Sequence, residues 1–211
     1  MEERRDTSLK WLRILFYLEL ASLVLSLLGY LPIKKDWINW PARALTAGML
    51  YCMFCMGGFS NRYKTAAIFR TVPFAYSLIS AVVTIFMARW VATTGNYPSL
   101  QIYNTVSTLI GSVVLVLGWI GTYQFYHANA DLVAEKSPTL EKKWHNFFWL
   151  TLGIGLAAST ASYLLAFAMD ALTAGYRGAV VSNVVISLST KIISLICVIY
   201  LYRTIGALEK E

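Results

Sequence analysis

Charge is what this chain has least of. Of its 211 residues 14% are charged and 57% hydrophobic, and the mean hydropathy is +0.57, a balance outside that of soluble domains. Histidine is nearly absent. The two that occur, His127 and His145, stand at no metal-binding spacing, so no metal or other cofactor is expected. No Gly-rich loop leads into a Lys-Ser/Thr pair, which argues against nucleotide binding by this chain, and no nucleophile with a base is set up for intramembrane hydrolysis. An enzyme is therefore not expected. Cysteine is scarce too. Cys52 and Cys55 form a C-x-x-C, but there is no second pair and no neighbouring His, and the apolar setting raises a thiol's pKa. Both read as small buried hydrophobes, as does Cys197. The Asn-x-Ser/Thr acceptor is missing altogether, which turns the expected location toward a bacterial inner membrane.

What the chain has is long apolar runs. A hydrocarbon core about 30 Å thick needs about 20 apolar residues to cross, and six segments qualify, near 12–31, 42–59, 73–94, 103–126, 147–170 and 179–202. Lipid offers the backbone no hydrogen bonds, so these are expected as helices, and none alternates with the period of a barrel strand. The fold class expected is all-α: a polytopic membrane bundle of six transmembrane helices forming one domain over 1–211. The first run follows a charged start and ends in Gly29-Tyr30-Leu31-Pro32 without a small-x-small cleavage pattern. It reads as a retained helix rather than a signal peptide.

Lys and Arg set the orientation. On one side of the six-span scheme lie twelve, Arg4, Arg5, Lys10, Arg13, Arg62, Lys64, Arg70, Lys136, Lys142, Lys143, Arg203 and Lys210, against five on the other, Lys34, Lys35, Arg43, Arg89 and Arg177. Both termini are accordingly expected in the cytoplasm. The net charge of +7 is spread over membrane flanks and forms no single basic stripe. The partner it implies is the lipid bilayer, through anionic headgroups, and not nucleic acid.

The outer connections carry Trp37 and Trp40, then Gly95 to Pro98, then Ala174 to Gly178, where Gly and Pro punctuate turns and the aromatics suit an interfacial belt. His127 to Asn146 reads as the longest polar connection. Within it Ser137-Pro138 has the pattern of an N-cap followed by Pro at the first helical position.

Once the flanking cations are assigned to the two sides, Lys191 is left within the membrane. At helical spacing Asn183, Ser187, Thr190, Lys191 and Ser194 share one face of helix six, and Glu19, Ser22, Ser26 and Gly29 share one face of helix one. A central charge costs on the order of 2.5 to 3.5 kcal/mol on insertion scales, so both faces should avoid lipid. Glu19 and Lys191 are candidates to neutralise each other or to share a polar cavity. Their depths differ, at roughly 9 Å and 18 Å from the cytoplasmic flank at 1.5 Å per residue. Milder stripes occur on helix three, with Tyr76, Ser77, Ser80 and Thr84, and on helix five, with Gly155, Ser159, Ser162 and Asp170. Gly153, Ala157 and Ala161, spaced by four, make a small-residue face for a membrane partner or a second copy.

In size and span number the chain is similar to the substrate-binding subunits of energy-coupling-factor vitamin importers, a likeness carried by topology and by no binding residue. The function expected is that of a small transporter, or the membrane subunit of a transport system for a small solute. The site would comprise Glu19, Lys191, Asn183, Ser187, Thr190, Ser22 and Ser26. The alternative is a noncatalytic accessory or assembly protein whose buried charges only fix helix packing.

Overall fold

A computed structural model describes residues 2–29, 35–95, 97–173 and 177–209, without the side chains of 2–6, 8, 35–38, 97, 100, 162–163, 165–173 and 177–183. It is all-α. The six helices are α1 (Glu2–Leu28), α2 (Lys35–Met56), α3 (Asn61–Thr94), α4 (Tyr97–Val133), α5 (Pro138–Thr173) and α6 (Arg177–Glu209).

Four contain stretches long and apolar enough to cross a membrane, Leu9–Leu28, Asn61–Thr94, Gln101–Val133 and Val184–Glu209. Their apolar side chains are turned outward. Ile79, Ile85 and Phe86 on α3 and Ile102, Leu109, Val113 and Leu115 on α4 are all exposed, as lipid-facing residues should be and as a soluble surface could not tolerate in such a run. The expected spans at 42–59 and 147–170 are helical but do not reach that standard within the described residues. For α2 the reason is compositional, since it opens on Lys35 and Asp36 and carries Arg43; for α5 much of the expected span, 162–163 and 165–170, lies outside the described side chains.

The helices also outrun the apolar segments. α3 to α6 have 34, 37, 36 and 33 residues, on the order of 50 Å each. Most of the excess lies at the ends rich in Lys and Arg. Within the stretch 127–146 α4 continues to Val133, and α5 starts at Pro138, where the Ser137-Pro138 pattern expected it. Caps explain these limits. Ser137 Oγ accepts from the Leu140 N–H at 3.4 Å, and Ser60 Oγ from the Arg62 N–H at 3.3 Å, each satisfying an amide that a helix start leaves open. At the far end of α3, Gly95 adopts φ 66° and returns its N–H to Val91 O at 2.8 Å, a left-handed cap that glycine enters without steric cost.

The chain divides into two compact units, Met53–Phe125 and the remainder, with boundaries inside α2 and α4. The first is an antiparallel α3–α4 hairpin joined along a glycine seam. Tyr63 meets Phe125 edge-on at 6.2 Å, Tyr76 Oη donates to Ser107 O at 2.7 Å, and the hydroxyls of Thr84 and Tyr103 lie 2.9 Å apart. Between those contacts the α4 face is Gly111, Gly118 and Gly121, where an added Cβ would stand 3.6 Å from Tyr76 Oη, 3.4 Å from Pro73 Cγ and 2.8 Å from Arg70 Cγ. Missing side chains let the two backbones close up, the means by which helices associate where no hydrophobic force acts between them.

In the other unit α6 is central, packed along α5 and also against α1. The α1–α6 pair runs antiparallel, with Arg13 against Glu209 and Phe16 against Tyr202. The fully buried side chains Leu12, Leu15, Val133, Trp144, Phe147 and Leu201 gather at one end. There Tyr126, Trp144, Phe147 and Tyr200 form a ring cluster with centroids 4.6 to 6.0 Å apart, each such pair worth about 0.5–1.5 kcal/mol beyond burial. From Val184 to Leu195, α6 has no fully buried side chain.

Candidate functional site

Lys191 lies in the less enclosed half of α6, inside the apolar stretch Val184–Glu209. It is partly buried, and its Nζ donates to Ser187 Oγ at 3.0 Å, one turn back. Helical side chains lean toward their own N-terminus, and Ser187 supplies an acceptor where that lean carries the ammonium. Thr190 is exposed and gives its proton to Ile186 O at 2.9 Å, so its hydroxyl is spent on its own helix. Asn183 lies in α6, but its side chain is outside the described residues.

Lys191 stands eleven residues before Tyr202 and eighteen before Glu209, close to three and five whole turns. It therefore shares the α6 face that meets α1. Carrying the register of Arg13–Glu209 and Phe16–Tyr202 along this antiparallel pair sets Lys191 level with the last turn of α1, whose carbonyls form the negative end of the helix dipole. Glu19, partly buried near the middle of α1, stands level with about residue 199 of α6. The two charges are about eight residues, or about 12 Å, apart along the axis. Ser22 and Ser26 are partly buried between those levels, and Ser26 Oγ donates to Leu23 O at 2.7 Å.

Recesses open among the described residues of this unit. One, of about 670 Å³, is apolar and runs between α1 and α2 past Val24, Leu28, Pro41 and Leu45. Two more open at the basic end. A recess of about 680 Å³ has Lys136, Lys143 and Arg203 on its walls, and one of about 530 Å³ has Lys10 and Arg13. Glu209 borders both, and its carboxylate is held by Arg13, with Nη2···Oε1 at 2.6 Å and Nε···Oε1 at 3.1 Å.

Other polar features were not visible as site candidates in the sequence. The rings of His127 and His145 stand 4.5 Å apart, and His145 Nε2 lies 3.8 Å from Glu141 one turn before it. Among the described residues no group of three metal-ligating side chains forms. Arg70, counted among the flanking cations, has its guanidinium 4.6 Å over the Phe125 ring and donates to Thr122 Oγ1 at 3.3 Å. Its spacing from Gly121 and Phe125 was not legible without the hairpin. The small face of α5 is open in this chain: a Cβ on Gly153 would meet nothing within 4 Å, and Ala157 is exposed. Asp170 and Ser162 are outside the described side chains. No family model, curated protein or solved structure matches the chain.

Proposed function

We propose that this is a six-span protein of a bacterial inner membrane, with both termini cytoplasmic, acting as a small-solute transporter or as the membrane subunit of one. The twelve-to-five distribution of Lys and Arg supports the orientation. The observation that carries the functional reading is Lys191, a partly buried ionisable side chain within an apolar stretch, whose Nζ donates to Ser187 Oγ at 3.0 Å. Ionisable groups within spans are costly and mark solute or ion paths. In this reading Glu19 exchanges a proton while Lys191 and Ser187 hold the solute. The test is proton flux into proteoliposomes, followed with an entrapped pH dye. Glu19→Gln abolishes pH-dependent flux if the reading holds, and unchanged flux overturns it.

A second reading, a noncatalytic assembly protein, is supported by the open small-residue face of α5 at Gly153 and Ala157. Small faces of this kind admit a second helix closely. Here Ala157→Trp would dissociate a complex in detergent and leave any flux unaffected, whereas transport predicts the reverse pattern for Glu19→Gln.

A further inference from the structure

We propose that Arg70, held between α3 and α4, binds the phosphate of an acidic phospholipid. The inference rests on α3 and α4 crossing the membrane, and not on transport or on which way the chain faces. Arg70 stands in a stretch, 37–130, that contains no Asp or Glu, so the unit Met53–Phe125 has no carboxylate of its own to set against it. The fold holds the side chain nonetheless. Its stem crosses α4 at Gly121, where a Cβ would stand 2.8 Å from Arg70 Cγ and 3.1 Å from Arg70 N. The guanidinium then lies 4.6 Å over the Phe125 ring, and Nη2 donates to Thr122 Oγ1 at 3.3 Å. Thr122 receives it with a lone pair, since its own proton goes to Gly118 O at 3.0 Å.

Both partners are neutral, whereas a guanidinium is a permanent charge. A ring face attracts a cation without cancelling it, and the hydroxyl takes up one N–H donor of several. Among the described residues those are the two groups that the Arg70 side chain engages. What the cradle fixes is therefore a planar fork with donors to spare, the shape that phosphate oxygens match. Depth favours the phosphate of a lipid over a soluble one, which carries the same chemistry. Arg70 is nine residues beyond Asn61, where α3 starts, or roughly 13 Å. It is partly buried, at a level where Ile68 and Val72 on α3 and Ile120 on α4 are exposed as lipid-facing residues are. Phe125 is one turn beyond Gly121 along the antiparallel α4, so the side chain reaches back toward the start of α3, where Arg62 and Lys64 stand. A long basic side chain rooted among acyl chains and directed at the interface delivers its charge to headgroups.

The test is thermal unfolding of the full chain in detergent, titrated with dioctanoyl phosphatidylglycerol, dioctanoyl phosphatidylcholine or inorganic phosphate. Four proteins are compared: the parent, Arg70→Gln, Arg70→Lys and Arg89→Gln. Arg89 is an exposed cation toward the other end of α3, so its loss removes the same charge from the same helix away from the cradle. The expected result is a rise in midpoint with the acidic lipid and none with the neutral lipid or with inorganic phosphate. The half-saturating concentration should rise on the order of tenfold in Arg70→Gln, about threefold in Arg70→Lys, which keeps the charge and loses the fork, and less than about twofold in Arg89→Gln. Should Arg70→Gln not fold, Arg70→Lys carries the comparison, since a change that conserves charge must then outweigh one that removes it. An equal rise with inorganic phosphate overturns the lipid assignment. Equal losses at Arg70 and Arg89, an equal rise with the neutral lipid, or no rise in the parent overturns the site. Incorporation into bilayer discs is read separately by co-elution, so that a chain failing to enter lipid counts against the membrane placement and not against binding at Arg70.

Discussion

The indole N–H of Trp144 donates to Thr204 Oγ1 at 2.9 Å, and both side chains are fully buried. The same hydroxyl donates onward to Tyr200 O at 2.9 Å, so one oxygen joins α5 to α6 inside the ring cluster. Thr204→Val keeps the shape and strands the indole N–H, and it should cost about 1–3 kcal/mol. Trp144→Phe with Thr204→Val removes both polar groups. The N–H is then no longer stranded, so the double change should cost less than the sum of the single ones. Unfolding in mixed micelles of denaturing and mild detergent, run on all four proteins, checks this.

Gly121 and Gly153 should respond oppositely to alanine. At Gly121 the new Cβ would lie 2.8 Å from Arg70 Cγ, 3.1 Å from Arg70 N and 3.2 Å from Ala66 O. Two of those atoms are backbone and cannot swing away, so the hairpin must open, at a cost of about 1–3 kcal/mol. At Gly153 the Cβ meets open space, and the change should stay within about 0.5 kcal/mol in the isolated chain. Midpoints of thermal unfolding in detergent separate the two, and equal effects would contradict the glycine seam.

Removing both embedded charges should give additive effects. Extending the register of Arg13–Glu209 and Phe16–Tyr202 along the pair puts Glu19 and Lys191 about 12 Å apart along the helices, and sites that far apart without shared partners usually add within about 0.3–0.5 kcal/mol. Glu19→Leu, Lys191→Leu and the double variant form the cycle. A coupling energy well above that range, with the double change restoring what each single one loses, would instead make them a structural pair and favour the assembly reading.

Topology can be read chemically. With Cys52, Cys55 and Cys197 replaced by Ser, a single cysteine at position 136 should react with a membrane-impermeant maleimide only from the cytoplasmic side. One at position 96 should react only from the opposite side. Labelling of both positions from the same side overturns the orientation.

Much of the helical organisation was legible because apolar length and turn chemistry are local. Ser137-Pro138 announces the start of α5, and Gly95 ends α3 as its position suggested. The inner ends were not legible, since a hydropathy scan stops where charge begins whereas a helix stops where its amides find caps. That is why the extension of α4 past 126 was not read, although Ala128, Asn129 and Ala130 are fully buried helix. Small residues at regular spacing do not say where the chain packs on itself. Gly153, Ala157 and Ala161 show the regular spacing, yet the contact within the chain falls on Gly111, Gly118 and Gly121. Spacing marks a face that can be approached closely and does not say which face has been. For the candidate site, periodicity put Ser187 and Lys191 on one stripe, and they do join. Which helix that stripe faces depends on the α1–α6 register, a tertiary quantity.

The exposed hydroxyls of α4 follow one rule: Thr105 gives its proton to Gln101 O at 3.0 Å, Thr108 to Asn104 O at 2.8 Å and Ser112 to Thr108 O at 2.9 Å. With those protons committed to the helix, what these side chains offer outward is oxygen lone pairs alone. Acyl chains have nothing to donate to them and meet only methyl and methylene surface. Water and ammonium-bearing molecules would find a ladder of acceptors, and anions would find nothing to grip. The polarity that these residues suggest in a sequence is therefore one-sided, mute toward lipid and selective by sign toward anything wet.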